Sequence, residues 1–200
     1  MKPIVFLGDS LARLQAFPDQ ARSFAGYQLR EIQKGLDPAD WKPMKTVGPG
    51  VREIRIREAS GAFRVIYLAT MGDSVVVLHA FQKKTQQTPQ KDIDLAASRL
   101  RAWKGLVMEV QTFEDVFDAL AKTPAEAANM KARADLLSLI VDRVKSWDMT
   151  QEAAAIQLGI SRPRLNDLLR GKLGKFSLDA LVNLAAAAGL VLEIRVATAA

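Results

Sequence analysis

The sequence contains no cysteine, which excludes disulfides, thiolate metal sites and thiol nucleophiles and suits a reducing compartment. It has one histidine, His79, and its carboxylates are scattered without ligand spacing, so a resident metal is not expected. Long apolar runs are also missing. The most apolar stretch, Leu181 to Leu192, is too short to span a bilayer and reads as a buried helix running into a strand. The opening MKPIVFLGDS lacks the long apolar core of a signal peptide. Together these absences point to a cytoplasmic chain with no membrane segment and no cofactor.

What is present divides unevenly. The 200 residues suit one large domain or two small ones. Residues 1–105 carry 17 Lys+Arg against 10 Asp+Glu, a net of +7, whereas residues 106–200 carry 11 against 12, a net of −1. A cationic half beside a near-neutral one suggests that the first half meets a polyanion. The change falls at WKGLVMEVQTF, Trp103 to Phe113, which also holds Met108. We place a domain boundary there, at 105/106.

The first half reads as α+β. PIVFL is a short strand. Ser10 can cap a short helix stopped by Pro18, and residues 19–34 follow helical spacing up to Gly35. LDPADWKPMKTVGPG, rich in breakers, reads as loop. VREIRIR, FRVIYLAT and SVVVLHAF, joined by short turns, read as an antiparallel meander, followed by a helix from Gln90 to Trp103. The second half reads as helical with a late strand, VLEIRV. Thr112 can cap FEDVFDAL, and TPAE (Thr123 to Glu126) is a capping box with Pro at the first helical position. Thr150, Ser161 and Ser177 can cap three further helices.

QEAAAIQLGISRPRLNDLLR, Gln151 to Arg170, has helix-turn-helix spacing. Ala155 is small where two helices cross, Gly159 serves the turn, and Ala154, Leu158, Ile160, Leu165 and Leu168 pack the pair. Pro163 is tolerated near the start of the second helix, where its missing N–H is no loss. Gln151, Ser161, Arg162, Arg164 and Asn166 are then the candidate base readers, with Lys172 and Lys175 reaching phosphates. With GKLGKFSLDALVNLA after it, this segment resembles the XRE (Cro/repressor-like) family, specifically HigA-like antitoxins. The resemblance implies operator DNA as partner and a homodimer.

In VREIRIR, Ile54 and Ile56 face one way and Arg55 and Arg57 the other, giving a cationic sheet face. Arg64, His79, Lys83 and Lys84 follow on the next two strands, and His79 has the ordinary pKa for proton transfer. REIRIR, GAFRVIY and VLHAFQKKTQQTP, in that order, resemble the RelE superfamily in its HigB-like, phage-derived Gp49-like branch. That resemblance implies helices packed on a small antiparallel sheet and an endoribonuclease that cuts mRNA on the ribosome. It also implies that Arg64 and Lys84 stabilise phosphate charge, with Arg57 and Lys83 assisting. Some relatives carry a tyrosine beyond the basic cluster, where this sequence reads TQQTPQ. Tyr67 is placed opposite Arg64 by strand alternation.

Both resemblances stop at the same seam. The expectation is therefore a toxin–antitoxin fusion, with residues 1–105 as toxin and 106–200 as antitoxin, Met108 being the relic of the antitoxin start. Between Leu106 and Met130 there are five acids (Glu109, Glu114, Asp115, Asp118, Glu126) and one base, Lys122. Such a segment could dock on the cationic domain and inhibit it within the chain or in a swapped dimer. The alternative is a DNA-binding transcriptional regulator whose RelE-like domain is catalytically inactive.

Overall fold

The computed structural model describes residues 1–69, 73–84, 87–105 and 109–193. The chain forms two compact units, Met1–Met130 and Lys131–Ala200. The first contains β1 (Ile4–Leu7), α1 (Ser10–Gln15), α2 (Asp19–Gln33), β2 (Trp41–Pro43), β3 (Val51–Glu58), β4 (Gly61–Leu68), β5 (Val75–Lys83), α3 (Gln90–Lys104), β6 (Val110–Phe113) and α4 (Val116–Leu120).

Its strands make one sheet in the order β2-β3-β4-β5-β1-β6. β3, β4 and β5 are the expected antiparallel meander, and β1 joins β5 in parallel. β3 alternates over Ile54–Arg57, where one face is packed and the other more open, while nearer its start Val51 and Glu53 are buried on that second face as well. Ile54 and Ile56 are buried on the side that α2 covers, while Arg55 and Arg57 are more exposed. β5 reads VVVLHAF without alternation because helices cover both its faces. α1 packs on one, and α3 lays Ala96 and Leu100 with Leu68, Val76, Leu78 and Phe81 on the other. The pairing of β4 with β5 shifts at Ile66/Tyr67, which leaves Leu78 without a strand partner. Its carbonyl accepts from Arg99 Nη1 at 2.9 Å instead.

Three local readings change. Trp41–Pro43, expected as loop, pairs with β3 as the edge strand β2. Ser10 does not cap α1; it is the first helical residue, and its hydroxyl donates to the Val77 carbonyl at 3.1 Å. Beyond the expected 105/106 boundary the chain does not leave the first unit. Val110–Phe113 runs antiparallel to β1 along its whole length, so Thr112 is in a strand and Asp115 caps the next helix, accepting from Phe117 N at 2.9 Å. The open edge of β1 supplies the pairing that the local sequence does not signal. Met108 lies outside the described residues.

α4 then buries Val116, Phe117, Ala119 and Leu120 against α2 and α1. Gly26 of α2 makes this approach possible: a Cβ there would stand 2.7 Å from the Phe117 ring. Arg30 Nε donates to Asp115 Oδ2 at 2.7 Å, with both side chains under 10% exposed. Gln33 binds both partners of the seam, donating to the carbonyls of Lys2 and Glu114 and accepting from Val116 N at 3.0 Å.

The division between the units falls within α5 (Pro124–Lys145). Thr123 accepts from Glu126 N at 3.1 Å, and Glu126 accepts from Lys122 N, so the expected box closes one residue early. The second unit continues with α6 (Gln151–Gln157), α7 (Arg162–Leu169), a 3-10 turn at Leu173–Lys175 and α8 (Leu178–Ala187). Thr150, Ser161 and Ser177 each accept a backbone N–H at the start of their helices, as expected. Gly159, in the turn between α6 and α7, has φ of +66°, a conformation that L side chains rarely adopt. Of the expected late strand, Val191 to Glu193 form no regular element, and Ile194 onward lies outside the described residues.

Candidate functional site

Strand register assembles a cationic surface from residues far apart in sequence. Arg55 lies opposite Arg64, Arg57 opposite Ala62, and Ala62 opposite Lys83, with Lys42 of β2 opposite Glu53. Residues opposite one another share a face, so Lys42, Arg55, Arg57, Arg64 and Lys83 all project from the face on which α3 lies. α3 covers only the part of it around β1, β5 and the far end of β4. The cations occupy the remainder.

Arg64 is at the centre and almost buried. Its Nε stands 3.3 Å from Glu53 Oε1, with the two side chains 5% and 1% exposed. Its Nη1 donates to the Phe63 carbonyl at 2.7 Å. Glu53 also lies 3.7 Å from Lys42 Nζ and accepts from the Thr88 hydroxyl at 3.4 Å. Burial lowers the Arg64 pKa from its ordinary value, Glu53 opposing this and Arg57 and Arg55 adding to it. Lys83 is also pulled below its ordinary value, first by desolvation and then by the Arg64 charge. Arg55 is held by Asp40 at 2.7 Å. Arg57 is exposed and has no ion pair among the described residues. The face thus offers one oriented, desolvated guanidinium with further cations around it, an arrangement able to stabilise negative charge developing on a phosphate. Glu53 was absent from the sequence reading, although its place two residues before Arg55 puts it on the same face.

Other expected members lie elsewhere. His79 is fully buried, with Nε2 2.9 Å from Asp92 Oδ1 and its ring stacked on Phe81. Desolvation lowers its pKa despite Asp92. With no exposed ring atom, His79 is placed in the core and not on the surface that the expected proton-transfer role requires. Tyr67 is also fully buried, and burial pushes its pKa up to about 12. Lys84 follows β5, directly after Lys83, and is exposed.

In the second unit, α6 and α7 pack through Ala154, Ala155, Leu158, Leu165 and Leu168, all buried. Gln151, Arg162 and Asn166 are exposed, and Ser161 is exposed while its hydroxyl caps α7. The other expected readers are engaged within the domain. Arg164 stacks over Phe176 at 4.1 Å and donates to the Lys175 carbonyl at 2.7 Å. Lys172 and Lys175 reach Asp167 at 3.1 and 2.7 Å. Burial alone would raise the Asp167 pKa, but the hydrogen bonds from Lys175 and Lys172 hold it below its ordinary value.

The chain thus joins an α+β unit with a cationic sheet face to a helix-turn-helix domain. Residues 12–101 match the family described as phage derived protein Gp49-like, and residues 119–197 match a helix-turn-helix domain family. "Probable endoribonuclease HigB1" of two Mycobacterium tuberculosis strains, CDC 1551 / Oshkosh and ATCC 25618 / H37Rv, is 34% identical over 88 residues, covering 44% of this chain and 67% of the relative. The chain belongs to the Gp49-like, RelE/HigB-type toxin family and carries an XRE-type helix-turn-helix domain in the same chain, the composition of a toxin–antitoxin fusion. No helix among the described residues is long and apolar enough to cross a membrane.

Exposed Arg162 and Asn166 can reach base edges without dismantling the domain. Arg162→Ala and Asn166→Ala are each expected to weaken DNA binding by about 1–3 kcal/mol, read by gel-shift titration. Arg164→Ala is expected to lower thermal stability as well, because its guanidinium packs on Phe176.

Proposed function

We propose that this chain is a toxin and its antitoxin in one frame. The first unit is a ribosome-dependent mRNA endoribonuclease, and the second binds operator DNA as a dimer, represses its own operon and restrains the nuclease. The chain acts in the cytoplasm. The observation that carries this reading is the convergence of Lys42, Arg55, Arg57, Arg64 and Lys83 on the part of the sheet face that α3 leaves open. The similarity to a protein named probable endoribonuclease supports it.

The reaction needs no metal. The ribose 2′-oxygen attacks the adjacent phosphorus as its proton leaves, the bond to the 5′-oxygen breaks, and that oxygen takes up a proton. The products are a 2′,3′-cyclic phosphate and a free 5′-hydroxyl. Charge grows on the non-bridging oxygens in the transition state, and fixed guanidinium and ammonium groups stabilise it there. Arg64, oriented by Glu53, is the main stabiliser, with Arg57 and Lys83 beside it.

β6 lies at the opposite end of the sheet from β2 and β3. The junction of residues 109–121 therefore anchors the antitoxin part without plugging the cationic face. We assign the restraint to the part of the chain that follows the first unit. Induction in cells of residues 1–130 is expected to arrest growth, and induction of the full chain to do so far less. Equal growth with both, at equal soluble levels, would favour a regulator with an inactive toxin fold.

A further inference from the structure

Among the described residues, β5 has a stretch of edge with no strand neighbour. β1 pairs with it only over Val75–Val77, and beyond them a groove of about 770 Å3 opens between the end of α1 and the start of α3. Its floor is apolar, formed by Phe17, Phe63 and Phe81. Its rim carries Arg13, Lys84 and Lys91. Lys84 and Lys91 are exposed and have no ion pair among the described residues, while Arg13 shares Asp9. The one carboxylate in the lining, Asp92, is turned to buried His79. Arg57, Arg64 and Lys83 are not part of the lining.

An apolar floor beneath a cationic rim fits an unpaired stretch of polynucleotide, with bases on the floor and phosphates on the rim. A duplex cannot use such a floor, because its bases are already stacked inward. The volume is within the ~300–1,000 Å3 of small-ligand sites, room for one or two nucleotides. The groove also adjoins the cationic face by chain continuity: Lys83 projects from that face, and Lys84, the next residue, stands on the groove rim. We propose that the groove is a second RNA subsite, holding the unpaired nucleotides that flank the phosphate bound at Arg64. It rests on the reading of the cationic face as an RNA site.

The test is anisotropy of a labelled, unstructured oligoribonucleotide with the full chain, carrying Arg162→Ala and Asn166→Ala to silence the DNA-binding domain. Lys84→Glu with Lys91→Glu is expected to weaken binding about tenfold or more, and to flatten the salt dependence by about 1.4 in slope, two phosphate contacts in a single strand. Ala16→Trp fills the groove from an exposed position of its wall without changing charge, and is expected to weaken binding by a similar factor. The matched reversal Lys45→Glu with Lys104→Glu is expected to leave binding near the parent value.

No RNA binding by the parent, an equal loss in the matched reversal, or no effect of Ala16→Trp would each overturn the proposal. Cleavage separates it from the reading beneath it. Groove-dependent binding by a chain that never cuts mRNA would remove the nuclease and keep the groove. Cutting that ignores Ala16→Trp would do the reverse.

Discussion

A chain ending at residue 105 is expected to lack a stable fold, whereas one ending at residue 130 is expected to unfold cooperatively. Ending at 105 strips β6 from β1 and α4 from α2. It leaves Arg30 buried without Asp115, and Gln33 without two of its partners. Single substitutions in the full chain should show the same dependence in graded form. Phe117→Ala is expected to cost about 3–5 kcal/mol, as deletion of a fully buried ring does. Asp115→Ala is expected to cost about 3–5 kcal/mol, because it removes the buried carboxylate that Arg30 Nε reaches at 2.7 Å. The two should not add, since Arg30 also lies over the Phe117 ring at 5.9 Å. Gly26→Val should destabilise by about 1–3 kcal/mol through overpacking against the same ring. Urea melts of a Trp147→Phe background would report on the first unit, where Trp41 and Trp103 lie. Unchanged midpoints would mean that residues 109–121 are not part of its core.

Arg64→Lys is expected to lower mRNA cleavage about a hundredfold or more, the scale of losing one preorganised charge-stabilising donor. Lysine keeps the charge but not the planar fork that Glu53 and the Phe63 carbonyl hold in place. The substitution matters for interpretation. Arg64→Ala would take its guanidinium from buried Glu53, leaving it the Thr88 hydroxyl at 3.4 Å and Lys42 at 3.7 Å, and loss of activity would then be confounded with loss of fold. Arg57→Ala, at an exposed position, should cost less and leave the urea midpoint unmoved.

The parts that local chemistry dictates could be read from sequence. Alternation in VREIRIR gave the two faces of β3, and the spacing of Ala155, Gly159 and the apolar positions gave the α6–α7 pair. The family resemblance marked Arg64. What escaped depends on partners distant in sequence. VQTF holds three strand-favouring residues but is only four long, and it is fixed as a strand by pairing with β1, distant in sequence. Asp115 caps α4 because Arg30, far back on α2, holds its carboxylate. His79 looks like a proton carrier until α3 sets Asp92 on it and covers both. Arg164, Lys172 and Lys175 look like free cations until Phe176 and Asp167 are folded beside them. Exposure and pairing are tertiary properties, and periodicity does not report them.

The direct measurement of the proposed nuclease role is primer extension on an mRNA translated in a purified bacterial system, with residues 1–130, the same fragment carrying Arg64→Lys, and the full chain. If the open, cationic half of the sheet face cuts messenger RNA as proposed, new 5′ ends within translated codons are expected for residues 1–130, with their near absence for Arg64→Lys and fewer for the full chain. An intact message in the presence of folded, soluble residues 1–130 would contradict it and leave the helix-turn-helix domain as the seat of function.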